Sequence, residues 1–281
     1  MRAKKRRKDI VTYIGITIIC LFCLLPVIWM ISCSFRPTGE IYSYGVTLLP
    51  KNFTLEGYIK LFTEKSSTVD FWAWVRNSLI VASASCVFGL LVACFGGYSL
   101  SKFRYPGRMS IGYTIVVAQV IPGTLLLVPM YMLMSRLKLV DTFIGLTVLN
   151  ISFSVPYCTW MMKGYYDGIP FSLSESGAVD GASQWQIFTH IVLPLARPGI
   201  AVTAFFSFVN SWNEYLFASV LMKSYQLWTL PVGLSSFKGQ YTVDYTTMMA
   251  GGSFITIPII ILFLLLQKHL VSGMTAGAVK Q

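Results

Sequence analysis

The chain has 281 residues, of which 55% are hydrophobic and 12% charged, with 22 Lys and Arg against 11 Asp and Glu. A charged share about half that of ordinary soluble domains, with a mean hydropathy of +0.65, excludes a soluble globular domain. The formal charge of +11 does not point to nucleic acid, because six basic residues are gathered in one run, Met1-Arg2-Ala3-Lys4-Lys5-Arg6-Arg7-Lys8.

Residues 10–35, 77–101, 109–135, 142–162 and 245–267 carry no charge, and 198–222 carry only Glu214. A helix needs about 20 apolar residues to cross a bilayer core, and an open strand cannot pair its backbone there. The pattern predicts an all-α polytopic membrane protein of one domain, 1–281. Six spans are expected, at about 11–34, 77–100, 110–134, 142–162, 198–222 and 246–267.

The basic run ahead of span 1 predicts a cytoplasmic N-terminus, and an even span count then brings the C-terminus to the same side. On that topology the inner segments hold 13 Lys and Arg in 65 residues and the outer ones 9 in 69, the expected sign. An apolar run of some 25 residues is too long for a signal peptide. Pro26 is a kink candidate in span 1. The outer segment that follows contains an amphipathic stretch, Thr54 to Thr63, and Phe71-Trp72-Ala73-Trp74 predicts an interfacial aromatic belt.

Span 2 is rich in small residues that favour close helix approach, and Lys102 to Arg108 form a basic inner turn. Span 3 is interrupted by Pro122-Gly123 and Pro129. The six cysteines all fall in predicted spans; Cys20-x-x-Cys23 has metal-like spacing but no partner pair, so packing is its expected role.

Between spans 4 and 5 lies a loop too polar to cross, 163–197. Pro170 ends what precedes it, and Ser172-x-x-Glu175 has capping-box spacing, predicting a helix start. Asp180-Gly181 breaks that helix, and a second follows with Trp185, Phe188 and Ile191 on one face, closed by Leu193-Pro194. Two short helices at a sharp angle, exposing apolar groups to the cytoplasm, predict a docking surface.

This loop resembles the EAA loop of binding-protein-dependent ABC importer permeases: Glu175, Gly181, Ile191 and Leu193-Pro194 match its spacing, while Ser176 and Gly177 stand where the motif has two alanines. Ala178-Val179-Asp180-Gly181-Ala182, Trp212-Asn213-Glu214, Thr229 to Leu234 and the tail Gly273 to Lys280 resemble the carbohydrate, maltose-permease class. The resemblance implies a type I importer permease fold in a bacterial inner membrane. It implies a coupling loop over 168–194 that docks on an ATPase through Ser172, Glu175, Asp180, Gly181, Trp185, Phe188, Ile191, Leu193 and Pro194. It also implies a second related permease, two ATPase subunits and an extracytoplasmic solute-binding protein. The chain is expected to bind no cofactor itself, ATP and magnesium residing on the ATPases. Consistent with this, no Gly-Lys pair, and hence no phosphate loop, occurs in the sequence.

Glu214 is the one carboxylate within a span, and a charge at that depth faces the bundle interior or water. It is either part of a cargo pathway or gate, or a structural hydrogen-bonding group to another span. Asn210 and Asn213 beside it, Asn150, Ser152, Ser154 and Tyr157 in span 4, and Gln119 in span 3 are candidates for the same path. His190 lacks a Ser or Cys partner and carries no catalytic expectation. The alternatives are an ion-gradient-driven secondary transporter, which typically shows paired repeats and several buried ionisable groups, and a membrane enzyme, which would need a catalytic dyad or metal-binding acid pair.

Overall fold

The computed structural model describes residues 2–42, 48–66, 69–239 and 243–278. Met1 of the basic run, and Val279 and Lys280 of the tail motif, lie outside the described residues. Among the described residues four helices are long and apolar enough to cross a bilayer: Thr12–Ser34, Phe71–Lys102, Phe143–Asp167 and Tyr245–Lys268. Two bent pairs also qualify, Arg108–Ala118 with Gly123–Arg136 at 100° and Gln184–Leu195 with Arg197–Leu221 at 76°, which brings the possible spans to six.

The chain divides into two compact units. The first comprises Met1–Phe71 and Gly233–Ile257; the second comprises Trp72–Val232 and Pro258–Gln281.

In the first unit the helix Arg2–Ser34 continues unbroken through Pro26. The amphipathic stretch forms the helix Glu56–Thr63, which buries Gly57 and Leu61. Lys60 pairs with Asp244 at 2.7 Å, and Thr246 Oγ1 donates to the buried carbonyl of Arg36 at 2.9 Å. Phe71, expected in an aromatic belt, is instead only 1% exposed. It packs edge-on against Phe62 and Phe254, at ring separations of 5.3 and 5.0 Å. Of the two tryptophans that follow it, which belong to the second unit, Trp74 is equally buried and Trp72 is exposed. Aromatic pairing of about 0.5–1.5 kcal/mol per contact outweighs the interfacial preference here.

In the second unit, Phe143–Asp167 is the organising helix. Leu146 and Leu149 near its start join Val81, Met134, Phe217 and Leu221 in one apolar core. Cys158, Met162 and Tyr166 near its end join Tyr98, Ile187, Phe188 and Val192 in another. The polar residues between the two sets face a cleft.

Span 3 is bent more sharply than a proline kink. Pro122 cannot donate an N–H. The first helix therefore ends at Ala118, and a new one starts at Gly123, with Pro122 in extended conformation ahead of it.

Candidate functional site: a coupling loop and a membrane cleft

The loop between spans 4 and 5 forms the expected pair of helices, Phe171–Val179 and Gln184–Leu195. Their junction is made by backbone alone. The N–H of Gly181 reaches the carbonyl of Ala178 at 3.1 Å, and that of Ala182 reaches Gly177 at 3.0 Å. This is the Schellman pattern, which requires a left-handed residue just past the helix end. Gly181 supplies it with φ +81°. Asp180 stands at the C-cap.

Two expectations about this loop are corrected. No capping box forms between Ser172 and Glu175: the helix begins at Phe171, behind Pro170, without a side-chain cap. The fixed φ of Pro170 ends the preceding turn one residue early, so Ser172 lies inside the first turn and both side chains are exposed. The capping box is instead at the second helix, where Ser183 Oγ accepts from Gln186 N at 3.3 Å and Gln186 Oε1 accepts from Ser183 N at 2.8 Å.

The second correction concerns the apolar face. Phe188 is buried, its ring 4.6 Å from Tyr98 and 5.5 Å from Phe95. Trp185 stacks beside it on Phe95 at 6.1 Å but remains 61% exposed. Ile191 is half-buried, and a Cβ on Gly177 would lie 2.7 Å from its Cδ1, so the alanine of the motif would fit here only with a shift of the Ile191 side chain. These side chains seat the second helix on the ends of spans 2 and 4. The surface the loop leaves open is formed by Phe171, Leu173, Val179 and Trp185.

Residues Ile187–Val192 adopt a π-helical turn. Pro194 lies just beyond it and lacks the N–H that would pair a carbonyl one turn back, a common setting for such a bulge. Leu193 and Pro194 close the helix as its last turn, which ends at Leu195 before the 76° bend at Ala196.

The cleft, of roughly 990 Å³, is bounded by spans 3, 4 and 5, and it brings together Gln119, Asn150, Tyr157, Asn210, Asn213 and Glu214. Gln119 comes from the break in span 3. Asn150 Nδ2 donates to Ser211 Oγ at 2.7 Å, tying span 4 to span 5. Tyr157 meets Phe206 edge-on at 6.0 Å.

Glu214 lies where span 5 is interrupted, between the helices Arg197–Trp212 and Leu216–Leu221. Its two oxygens accept from Phe217 N at 2.7 Å and Ala218 N at 2.9 Å. The carboxylate thus satisfies the open N–H groups of the helix that restarts after it. Of the two sequence readings, the hydrogen bond to another span is not what forms: Glu214 borders the cleft, and its hydrogen bonds run to the backbone of its own span.

Sequence reasoning missed Asp141. It adopts φ +60° and accepts from Lys223 N at 2.7 Å, Ser224 N at 2.9 Å and the Ser224 hydroxyl. Burial raises its pKa, but the bonds from Ser224 and Lys223 and the Lys223 charge outweigh that and hold the carboxyl below its ordinary value. An Asp ahead of a helix-starting Thr142 was the available signal.

Residues 85–276 match the family of binding-protein-dependent transport system inner membrane components. The chain belongs to that family. It is a permease subunit of an ABC importer, with no ATP-binding motif of its own. It is 35% identical over 268 residues to the diacetylchitobiose uptake system permease protein DasC of Streptomyces coelicolor, covering 95% of this chain and 96% of that protein. It is 31% identical to the trehalose/maltose transport system permease protein MalG of Thermococcus litoralis, covering 97% of each. Among solved structures, this permease is similar to a chain of a bacterial ABC transporter involved in the import of the acidic polysaccharide alginate. That match has a TM-score of 0.77 and 25% identity and covers 94% and 97% of the two chains. The type I importer permease fold expected from the loop is therefore the fold of this chain.

Proposed function

We propose that this permease carries an uncharged sugar or oligosaccharide into the cytoplasm by alternating access, as one of two related permeases in the assembly. In this reading both termini lie in the cytoplasm of a bacterial cell and an extracytoplasmic solute-binding protein delivers the cargo. Two ATPase subunits hold ATP and magnesium. One of them docks on the loop, with Glu175, Asp180, Trp185 and the open patch of Phe171, Leu173 and Val179 as contacts. Closure of the ATPase pair then reaches the spans through the seat formed by Phe188, Ile191, Leu193 and Pro194.

The observation that carries the cargo reading is the chemistry of the cleft. Its wall offers amides, hydroxyls and the Tyr157 ring, and among its described lining there is no Lys, Arg or His. The Glu214 carboxylate is already engaged by two backbone N–H groups. Such a wall can exchange hydrogen bonds with sugar hydroxyls and present an aromatic face to a pyranose ring, but offers no cation to an acidic sugar or a phosphate ester. The relatives named for diacetylchitobiose and for trehalose and maltose are permeases for uncharged sugars.

The test is uptake of labelled neutral and uronate disaccharides by vesicles containing the assembled importer. Neutral uptake should depend on ATP and on the solute-binding protein. Tyr157→Ala should reduce it by about tenfold, the loss expected when one aromatic contact is removed, at unchanged membrane level. Equal transport of the uronate, or full uptake by Tyr157→Ala, would refute this reading of the cleft.

A further inference from the structure

The basic turn 102–108 lies outside the cleft and next to the loop 168–194. It joins the helix Phe71–Lys102 to the helix Arg108–Ala118, with Gly107 at φ +84° between them. Four cations gather here, and two are already committed. Lys102 Nζ donates to the carbonyl of Ile169 at 2.6 Å. Lys163 Nζ pairs with Asp167 at 2.6 Å. The Asp167 carboxylate also accepts from Ser101 at 2.6 Å, so both its oxygens are engaged.

The other two cations are open. Arg104 is exposed and makes no hydrogen bond or ion pair among the described residues. Arg108 donates through one nitrogen only, to the carbonyl of Phe103 at 2.9 Å. The two guanidinium groups border two open depressions of roughly 330 and 310 Å³, the second shared with Lys102, the engaged Asp167 carboxylate and Phe171 of the loop. Guanidinium forks match phosphate oxygens in geometry and charge.

From Arg108 a narrow slot of roughly 40 Å³ continues along the span, lined by Leu100, Met109, Gly112, Tyr113 and Trp160 and bordered by Lys163, room for a few methylene groups. Phe103, Met109 and Tyr113 are exposed around it. A soluble anion or an acidic protein segment would use the cations and leave the slot empty. A molecule with a phosphate at the membrane boundary and a hydrocarbon chain beneath it fits both.

We propose that Arg104 and Arg108 hold the phosphate of an anionic phospholipid from the inner leaflet, with part of an acyl chain in the slot between Met109, Gly112 and Trp160. The leaflet assignment rests on the cytoplasmic placement of this turn; the site itself does not. Held there, the lipid bridges the start of span 3 and the end of span 4, beside the loop that receives the ATPase.

The test uses the full chain in detergent, with phosphatidylglycerol and phosphatidylcholine as competing probes and bound lipid counted by native mass spectrometry. Phosphatidylglycerol should be retained preferentially. The double variant Arg104→Gln/Arg108→Gln should reduce its retention by at least about fivefold, the scale expected for one basic residue at an anionic surface. Arg104→Gln alone, which breaks no hydrogen bond of the fold, should reduce it measurably, and Gly112→Leu, which fills the slot without changing charge, should do the same. Millimolar inorganic phosphate should leave the lipid in place. Equal retention of both lipids, or undiminished retention in the Arg104→Gln and double variants, overturns the proposal. Displacement by inorganic phosphate assigns the cations to a free anion and overturns it too, as does loss of ATPase co-purification with lipid retention intact. Labelling of Ser110→Cys by an impermeant reagent in intact cells would overturn the leaflet separately, without affecting the detergent result.

Discussion

The second unit interrupts its helices by two different means. At Asp180 to Ala182 the backbone closes on itself through two N–H bonds, made possible by one left-handed glycine. At Asn213 to Tyr215 the restarted helix is capped by a side chain, the Glu214 carboxylate. A backbone-closed break fixes an angle and leaves its side chains free for other contacts. A carboxylate-capped break maintains a gap whose geometry depends on one side chain, and that side chain borders the cleft. The first arrangement suits a lever that must transmit force without yielding. The second suits a wall that can alter its polar groups while the flanking helices stay in place.

The largest effect is expected where the lever's angle is lost. A left-handed conformation costs an ordinary residue about 1–2 kcal/mol, and a β-branched residue more. Gly181→Val should therefore abandon the turn and tilt the second helix of the loop. Cargo uptake should fall to background and ATPase co-purification should drop severalfold, while the permease still inserts, because its spans are held by their own packing. Gly181→Asn should retain part of both, since Asn tolerates this region. Uptake and ATPase retention at wild-type levels in Gly181→Val would show that the loop does not couple.

An intermediate effect is expected at the capped break. Glu214→Ala leaves the N–H groups of Phe217 and Ala218 without an acceptor, at about 1–3 kcal/mol for each one kept from water. Its melting temperature in detergent and its membrane level should both fall. Glu214→Gln keeps one acceptor oxygen and the volume, so it should insert normally and lose uptake severalfold. Normal uptake by Glu214→Gln would reduce the residue to a cap; failure of both variants to accumulate would make it purely structural.

These two breaks also show what was legible in the sequence. Charge-free runs located four long apolar helices and two bent pairs among the described residues, because lipid tolerates so few alternatives, and Asp180-Gly181 announced its turn because only a few residue types take that conformation. All eight pathway candidates line one cleft, since polar groups at membrane depth have few places to face. Less was visible where partners lie far apart in sequence. The burial of Phe188 depends on Phe95 and Tyr98, some 90 residues earlier, so the predicted face divides, Phe188 turned inward and Trp185 left exposed. The Ser172-x-x-Glu175 signature failed because Pro170 shifted the helix start, and the same chemistry appeared at Ser183 and Gln186. Asp141 was overlooked because the loop it secures, 221–224, is about 80 residues away.

Asp141 offers the smallest effect and the sharpest refinement of the comparison, because it is a side-chain latch like Glu214 but lies outside the spans, where it can titrate. Its carboxyl is held below the ordinary value by Ser224 and Lys223 against the opposing effect of burial. A carboxyl depressed in the folded state stabilises fully above its unfolded pKa, near 4, and that stabilisation is lost as pH falls through the lower folded value. Asp141→Asn is a clean probe: Asn accepts the same φ of +60° and keeps one acceptor, but cannot ionise. In detergent at neutral pH the variant should melt about 2 °C below the parent, a shift of the size one modest interaction produces. The two curves should converge as the pH is lowered below about 4, where the unfolded chain takes up the proton first and the folded carboxylate follows at its lower value. Because other carboxylates titrate in both proteins, the difference between the curves is the quantity to follow. A gap that stayed constant down to pH 3 would mean that the latch depends on hydrogen-bond geometry and not on charge. Asp141 would then secure its loop as Gly181 secures the lever, through shape alone.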